Sequence, residues 1–424
     1  MSKSQSHNNP FQGRKTSFPA DLEAVLREGA RTLLQMAIEA EVAEFIESHK
    51  DKQDSSSHRL AVRNGYHKER DLLTSLGPLR IRQPRVDDRK LGQIGEERFS
   101  SRLLPRYMRK APSIENLLPV LYLKGISSQD FPEALAAILG DGVKGLSANT
   151  LVRLKEQWVD EFLKWSKRDL SDKRYVYIWA DGVYFNVRLN DSKPCILIII
   201  GADEQGNKEL LAVCDGERES ELSWTALLVD LKSRGLEIPP SLAIADGALG
   251  FWAALNKIYP STLQQRCWVH KTANVLDKLP KKHHGQAKKM IVNMYMADSY
   301  QDAVSVYSQF GVVFGDKYPK AVKCLEKDFD QLFTFYSFPA IHWIHIRTTN
   351  PIESTFATVR LRSRRTKGCG SREATLTMVF QLCREAQKRW KRLKGAEWLP
   401  RVAAGQEFVD GKLVEKAETA KNVA

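Results

Sequence analysis

Tyr175-Val176-Tyr177-Ile178-Trp179-Ala180-Asp181-Gly182 opens the part of the sequence that decides the fold. Aromatic and β-branched residues dominate its first six positions and suit a pleated, buried backbone, so Tyr175–Ala180 reads as a strand. Tyr184–Arg188, Cys195–Gly201 and Glu209–Val213 read as strands for the same reason. Helical spacing returns with Leu222, Leu227, Leu228 and Leu231. Leu242–Ala245 then predicts another strand, Leu249–Ile258 a helix and Thr262–Cys267 a last strand. Strands followed by strand–helix alternation predict an α/β fold with a mixed sheet flanked by helices.

Upstream, Leu22, Val25, Leu26, Leu33, Leu34, Ala37 and Phe45 recur at helical spacing, and Leu79-Arg80-Ile81-Arg82 alternates beside turn signals as in a small basic hairpin. Ile114 to Leu121, Phe131 to Leu139 and a helix capped by Ser147 form a pattern resembling a helix-turn-helix. In the third of these helices Arg153 and Lys155 face outward, as DNA contacts would. Downstream, stripes at Ala287, Ile291, Met294 and Tyr295 and at Ala303, Val306 and Tyr307 predict a Lys-rich helical region. The expected division is a disordered tail over 1–18, the N-terminal helix and hairpin over 19–110, and the helix-turn-helix-like region over 111–168. The core follows in two parts, 169–277 and 347–395, separated by an α-helical insertion over 278–346, and 396–424 is a charged tail.

Composition narrows the function. Over 424 residues, 65 Lys and Arg against 51 Asp and Glu leave a net charge of +14, which points to a polyanionic partner. The longest apolar run, Cys195–Ile200, is far below the roughly 20 residues that span a bilayer, and Met1–Lys15 lacks a signal peptide's apolar segment. No membrane partner is expected, and the location expected is cytoplasmic and nucleoid-associated. Six scattered cysteines suit a reducing compartment.

The chemistry rests on carboxylates. Ala180-Asp181-Gly182 and Ala245-Asp246-Gly247 place an acid in the same context at the end of two predicted strands. Adjacent strand ends would bring the two acids together, and such a pair needs a cation between them or a shared proton. The competing account is that each Asp-Gly makes a turn. Glu353, in Asn350-Pro351-Ile352-Glu353, either caps a helix with Asn350 at the N-cap or adds a third ligand. Arg360 and Arg364 continue the face that bears it, within five cations between Arg360 and Lys367, as suits a phosphate backbone. Three carboxylates suit two magnesium ions, with manganese expected to substitute. Zinc is not expected, because Cys267-Trp268-Val269-His270 has no second ligand pair. Cys267 reads as a buried thiol and His270 as an orienting group. Trp343 is either core or an aromatic that stacks on an unpaired base.

Four blocks, in order, resemble the mutator-type transposases of bacterial insertion sequences: Asp181-Gly182-Val183-Tyr184-Phe185-Asn186-Val187-Arg188, Ala245-Asp246-Gly247, Arg266-Cys267-Trp268-Val269-His270-Lys271, and Arg347-Thr348-Thr349-Asn350-Pro351-Ile352-Glu353-Ser354-Thr355-Phe356. The resemblance runs from about Leu22 to Gly405. It implies an RNase H-like catalytic core interrupted by a helical insertion, with Asp181, Asp246 and Glu353 as the acidic triad. It also matches Cys267 and His270 to a Cys-x-x-His signature, and Arg360 and Lys367 to basic positions after the glutamate. The implied activity is cleavage and joining of DNA, on terminal inverted repeats and target DNA, by an oligomer that is at least a dimer on paired ends. A structure-selective nuclease and a non-catalytic DNA-binding repressor are the alternatives.

Overall fold

The computed structural model describes residues 22–95, 97–123, 126, 131–139, 148–184, 195–216, 218–247, 249–353, 356 and 371–414. The chain divides into two compact units, Met1–Leu151 and Val152–Ala424.

In the first unit, α1 (Leu22–Ser48) buries Ile38 and Val42. Ile38 packs with Leu72, Ile81 and Leu104. β1 (Val62–Tyr66) pairs antiparallel with β4 (Pro84–Asp87), and β2 (Arg70–Thr74) with β3 (Gly77–Ile81). Thr74 pairs with Gly77, leaving a two-residue turn, and Gly77 takes φ +97°, where a side chain would be strained. The apolar spacing of α1 marks the helix correctly but not its buried face, because Leu22, Val25, Leu26 and Leu33 are exposed. α2 (Arg89–Gln93), α3 (Pro112–Leu123) and α4 (Phe131–Leu139) follow, the last two packing through Ile114, Leu135 and Leu139. Ser147 lies outside the described residues.

The second unit takes up most of α5 (Ala148–Ser166) and is built on a mixed five-stranded sheet in the order β7-β6-β5-β8-β9. These strands are β5 (Tyr175–Tyr184), β6 (Cys195–Asp203), β7 (Lys208–Gly216), β8 (Leu242–Ala245) and β9 (Leu263–Arg266). β5, β6 and β7 form an antiparallel meander, and β8 and β9 add in parallel beyond β5. α6 (Glu221–Ser233) and α7 (Leu249–Ile258) cover one face, where Trp224, Leu228 and Phe251 pack with Ile178, Ala180, Leu197 and Ile199. Alternation turns Tyr177 and Trp179 to the other face. There the Tyr177 hydroxyl lies 2.7 Å from His342 Nδ1, and the Trp179 indole donates to the His345 carbonyl at 3.1 Å.

After β9, α8 (Trp268–Leu276) leads into α9 (His284–Met296), α10 (Tyr300–Phe314), α11 (Pro319–Glu326) and α12 (Phe329–Phe333). Ala287, Ile291, Met294 and Ala303 are buried, and the second stripe extends to Phe310 and Phe314. The helix Arg372–Gln387 sets Phe380 against Phe162 and Trp165, and Arg372 grips Asp215 through two guanidinium nitrogens.

Two expectations need correction. Asp181 does not end a strand, because β5 continues to Tyr184; the expected strand Tyr184–Arg188 lies outside the described residues after its first member. Within the expected charged tail, residues 396–414 carry ordered elements. Leu399, Val402 and Phe408 are buried, and Phe408–Val409 pairs with Lys412–Leu413 across a turn at Asp410-Gly411. These elements are too short for periodicity to show them in the sequence. Among the described residues no helix is long and apolar enough to cross a membrane.

Candidate active site

Register aligns the acids. Across the parallel pair β5–β8, Ala180 pairs with Ala245, and across β8–β9, Ala245 pairs with Arg266. The next residue on each chain, Asp181, Asp246 and Cys267, therefore lies in one row at about 4.8 Å strand spacing. Asp181 is only 7% exposed, and its Oδ1 accepts the Gly182 amide at 2.9 Å. Burial, and then the nearby Asp246 carboxylate, push the Asp181 carboxyl up to about 7.

Cys267 and His270 connect this row to Glu353. The buried Cys267 Sγ accepts the backbone amide of Thr349 at 3.3 Å and lies 3.3 Å from its hydroxyl oxygen. Thr349 Oγ1 also donates to Glu353 Oε1 at 2.9 Å, and His270 Nδ1 lies 3.8 Å from the same oxygen. Cys267, His270 and Glu353 offer ligand atoms all within 4.8 Å of one another. Among the described residues the three acids do not form so tight a group; His270 lies beside Glu353 and is influenced by the charges of Asp181 and Asp246. Its imidazole is raised to about 9, first by Cys267 and then, against its own burial, by Asp181 and Asp246. For Cys267, burial works upward, but His270 and Thr349 outweigh it and lower the thiol. A cationic histidine thus partly offsets the acids.

The cap of the glutamate's helix differs by one residue from the sequence expectation. Ile352 and Glu353 donate their amides to the Thr349 carbonyl, so Thr349, not Asn350, heads the helix. Helix and cap are tied to the sheet through Cys267.

A fourth acid escaped the sequence reading. Glu219, just before the α6 cap Ser220, lies directly over Gly182, where any Cβ would collide with its carboxylate. A Cβ on Gly250 would likewise strike the Glu219 carbonyl. Burial, then Asp246, raise the Glu219 carboxyl to about 7. Glu219-Ser220-Glu221 reads only as a helix start, and the usable signal was the glycine after the strand-borne Asp181. Gly247 has a comparable role, since its missing side chain makes room for the Arg266 guanidinium.

The expected DNA-contact residues fall largely outside what is described. Arg153 and Lys155 lie in α5, but their side chains are outside the described residues, as are Arg360, Arg364 and Lys367 altogether. Trp343 is buried, donates its indole N–H to the Phe338 carbonyl at 2.8 Å, and packs edge-on against Phe335 and Tyr336. The Arg347 guanidinium sits 5.1 Å from its ring centre. Core packing is therefore what this geometry provides, and stacking on a base would require the ring to leave its cluster. Trp343→Ala is expected to cost about 3–5 kcal/mol in urea unfolding, with Trp343→Phe far milder. A stacking role would instead show as weakened DNA binding at unchanged stability.

Residues 1–393 match the family profile described as Transposase, Mutator family. The chain is 50% identical over 303 residues, 72% of its length and 93% of the relative's, to the transposase for insertion sequence element IS6120 of Mycolicibacterium smegmatis. It is 48% identical over 286 residues, 66% and 94% of the two chains, to the transposase for IST2 of Acidithiobacillus ferrooxidans. Identity to the transposase for IS256 in transposon Tn4001 of Staphylococcus aureus is 27% over 338 residues, 78% and 82% of the two.

Proposed function

Because the chain belongs to the Mutator family of transposases, the enzymes that move insertion sequences, we propose that it cuts and joins DNA at an Asp181–Asp246–Glu353 site on an RNase H-like core. The observation that carries this reading is the parallel register that sets Asp181 beside Asp246, with Glu353 beside His270, which the same two aspartates influence. The donor set fits a hard divalent cation. Carboxylate oxygens predominate, and Asp181 and Glu219 are both pushed up because burial and the nearby Asp246 outweigh the relief from His270 and the Gly182 amide. Magnesium, with manganese as substitute, would supply activation of the attacking oxygen and stabilisation of the leaving one.

The protein's own part is positioning. The sheet fixes Asp181 and Asp246, while Thr349 and Cys267 fix the helix start that carries Glu353. At the element's end, water attacks phosphorus and the P–O3′ bond breaks. The leaving oxygen takes a proton to become a 3′-hydroxyl, and the proton of the attacking water passes to solvent. That hydroxyl then attacks a target phosphodiester and displaces a second 3′ oxygen. Arg153 and Lys155, with Arg360, Arg364 and Lys367, would hold the DNA backbone, as the net charge of +14 suggests. Pairing two ends calls for at least a dimer, and the exposed apolar face of α1 is available to build one.

The test is incubation of purified protein with a duplex bearing the element's end and a target plasmid, in magnesium or in chelator. Nicked and joined products are expected in magnesium only. Nicking without joining would favour a nuclease, and binding without either would favour a repressor.

A further inference from the structure

Beside the carboxylate row, on the far side of Gly247, lies a cavity of about 570 Å³ walled by Trp252, Arg266, Lys271, Lys278, Lys327 and Asp328. Arg266 is only 5% exposed, yet its Nη1 has no hydrogen-bond acceptor, and its Nε, 3.1 Å from Asp328 Oδ2, is not aligned to donate. Lys271, 2% exposed, pairs with the same Asp328 and donates to the Cys324 carbonyl at 2.6 Å. Two buried cations thus share one carboxylate. Lys278 and Lys327 add positive charge at exposed positions on the wall, and Asp277 is the remaining acid there. Arg266 lines the cavity with its unpartnered Nε and Nη1 buried in the wall, and a planar guanidinium whose donors are not used up within the protein matches the oxygens of a phosphate.

We propose that this cavity binds a backbone phosphate of the DNA being processed, with Arg266 as its principal donor and Lys278 and Lys327 as supporting charges. It is a positioning subsite. Arg266 closes β9 next to Ala245 and presses on Gly247, so a phosphate held there would lie on the strand that passes Asp246. The glycine following Asp246 has a direct purpose in this arrangement, since a side chain would expel the guanidinium. The inference rests on the reading of Asp181, Asp246 and Glu353 as the cutting site, but its test does not.

The test measures affinity of the full chain for a duplex of about 40 base pairs and arbitrary sequence across a salt series, because a backbone contact is sequence-independent. Arg266→Gln is expected to weaken binding about 10-fold at low salt and to flatten the log–log salt slope by about one, with Arg266→Lys in between. Removing the buried Arg266 could unfold the protein, so Lys278→Gln with Lys327→Gln, both on the surface, forms the second arm, with a slope flattened by one to two. Unchanged slopes in the folded Gln variants would overturn the proposal. So would a thermal shift of the parent with inorganic phosphate that Arg266→Gln abolishes while the DNA slope stays the same, since the cavity would then hold free phosphate. Asp181→Asn separates the two readings: if it still cuts DNA, the cutting-site assignment fails whatever the salt slopes show.

Discussion

Asp181→Asn, Asp246→Asn and Glu353→Gln are each expected to lower strand cleavage in magnesium by about 10³-fold or more while leaving affinity for the element's end within about twofold, since removal of one preorganised charge stabiliser alone costs about 10²–10³. Each substitution keeps the side chain's shape and removes its negative charge. For Asp181 the surroundings tolerate the change, because the carboxyl is buried in the sheet and the bond from the Gly182 amide to Oδ1 persists with an amide oxygen. Glu353 is the most exposed to refutation. Its Oε1 is already engaged by Thr349 and lies near His270, so a merely structural role would leave Glu353→Gln cutting at close to the parental rate with a lowered melting temperature. Denaturing gels of cleavage over time, run beside melting curves, decide between these outcomes. Parental cleavage by any one variant removes that residue from the triad.

What the sequence could reveal of this site divides along physical lines. The strands were legible because burial on both faces forces β-branched and aromatic residues into runs such as Tyr175–Ala180 and Cys195–Ile200. The pairing of Asp181 with Asp246 was legible through the repeated Ala-Asp-Gly, although the reason for the first glycine was not. Asp-Gly suggests a turn, and at Asp181 the strand runs on; Gly182 is there because Glu219 occupies the space of its side chain. No local pattern records that contact, since Glu219 is brought in by the β7–α6 junction. The helix cap shows the same limit. Thr348-Thr349-Asn350 offers several plausible caps, and the choice falls on Thr349, whose amide donates to the Cys267 sulfur 82 residues earlier while its hydroxyl donates to Glu353. Arg266 likewise reads as one cation among 65 until the fold buries it.

The same burial that tunes the site makes a second prediction, of opposite sign to the first. In chelator above neutral pH, Asp181→Asn protein is expected to be more stable than its parent. The Asp181 carboxyl is raised from its ordinary value to about 7, so between about pH 4 and pH 7 the folded chain holds a proton that the unfolded chain has released. Stability then falls as pH rises through this window and is flat above it. A displacement of about three pH units corresponds to roughly 4 kcal/mol, an upper bound because Glu219 and His270 are shifted beside it. Asparagine carries no such penalty, so urea unfolding at pH 8 should show a gain of about 1–4 kcal/mol that vanishes near pH 4. Adding manganese should reverse the order, because a cation that binds the folded parent stabilises it by mass action and the neutral amide of the variant is a weaker ligand than the carboxylate. A parent that is the more stable at pH 8 in chelator would mean that Asp181 is already neutralised by its protein surroundings. The case for a cation held between Asp181 and Asp246 would then lose its electrostatic ground, even if the variant were inactive.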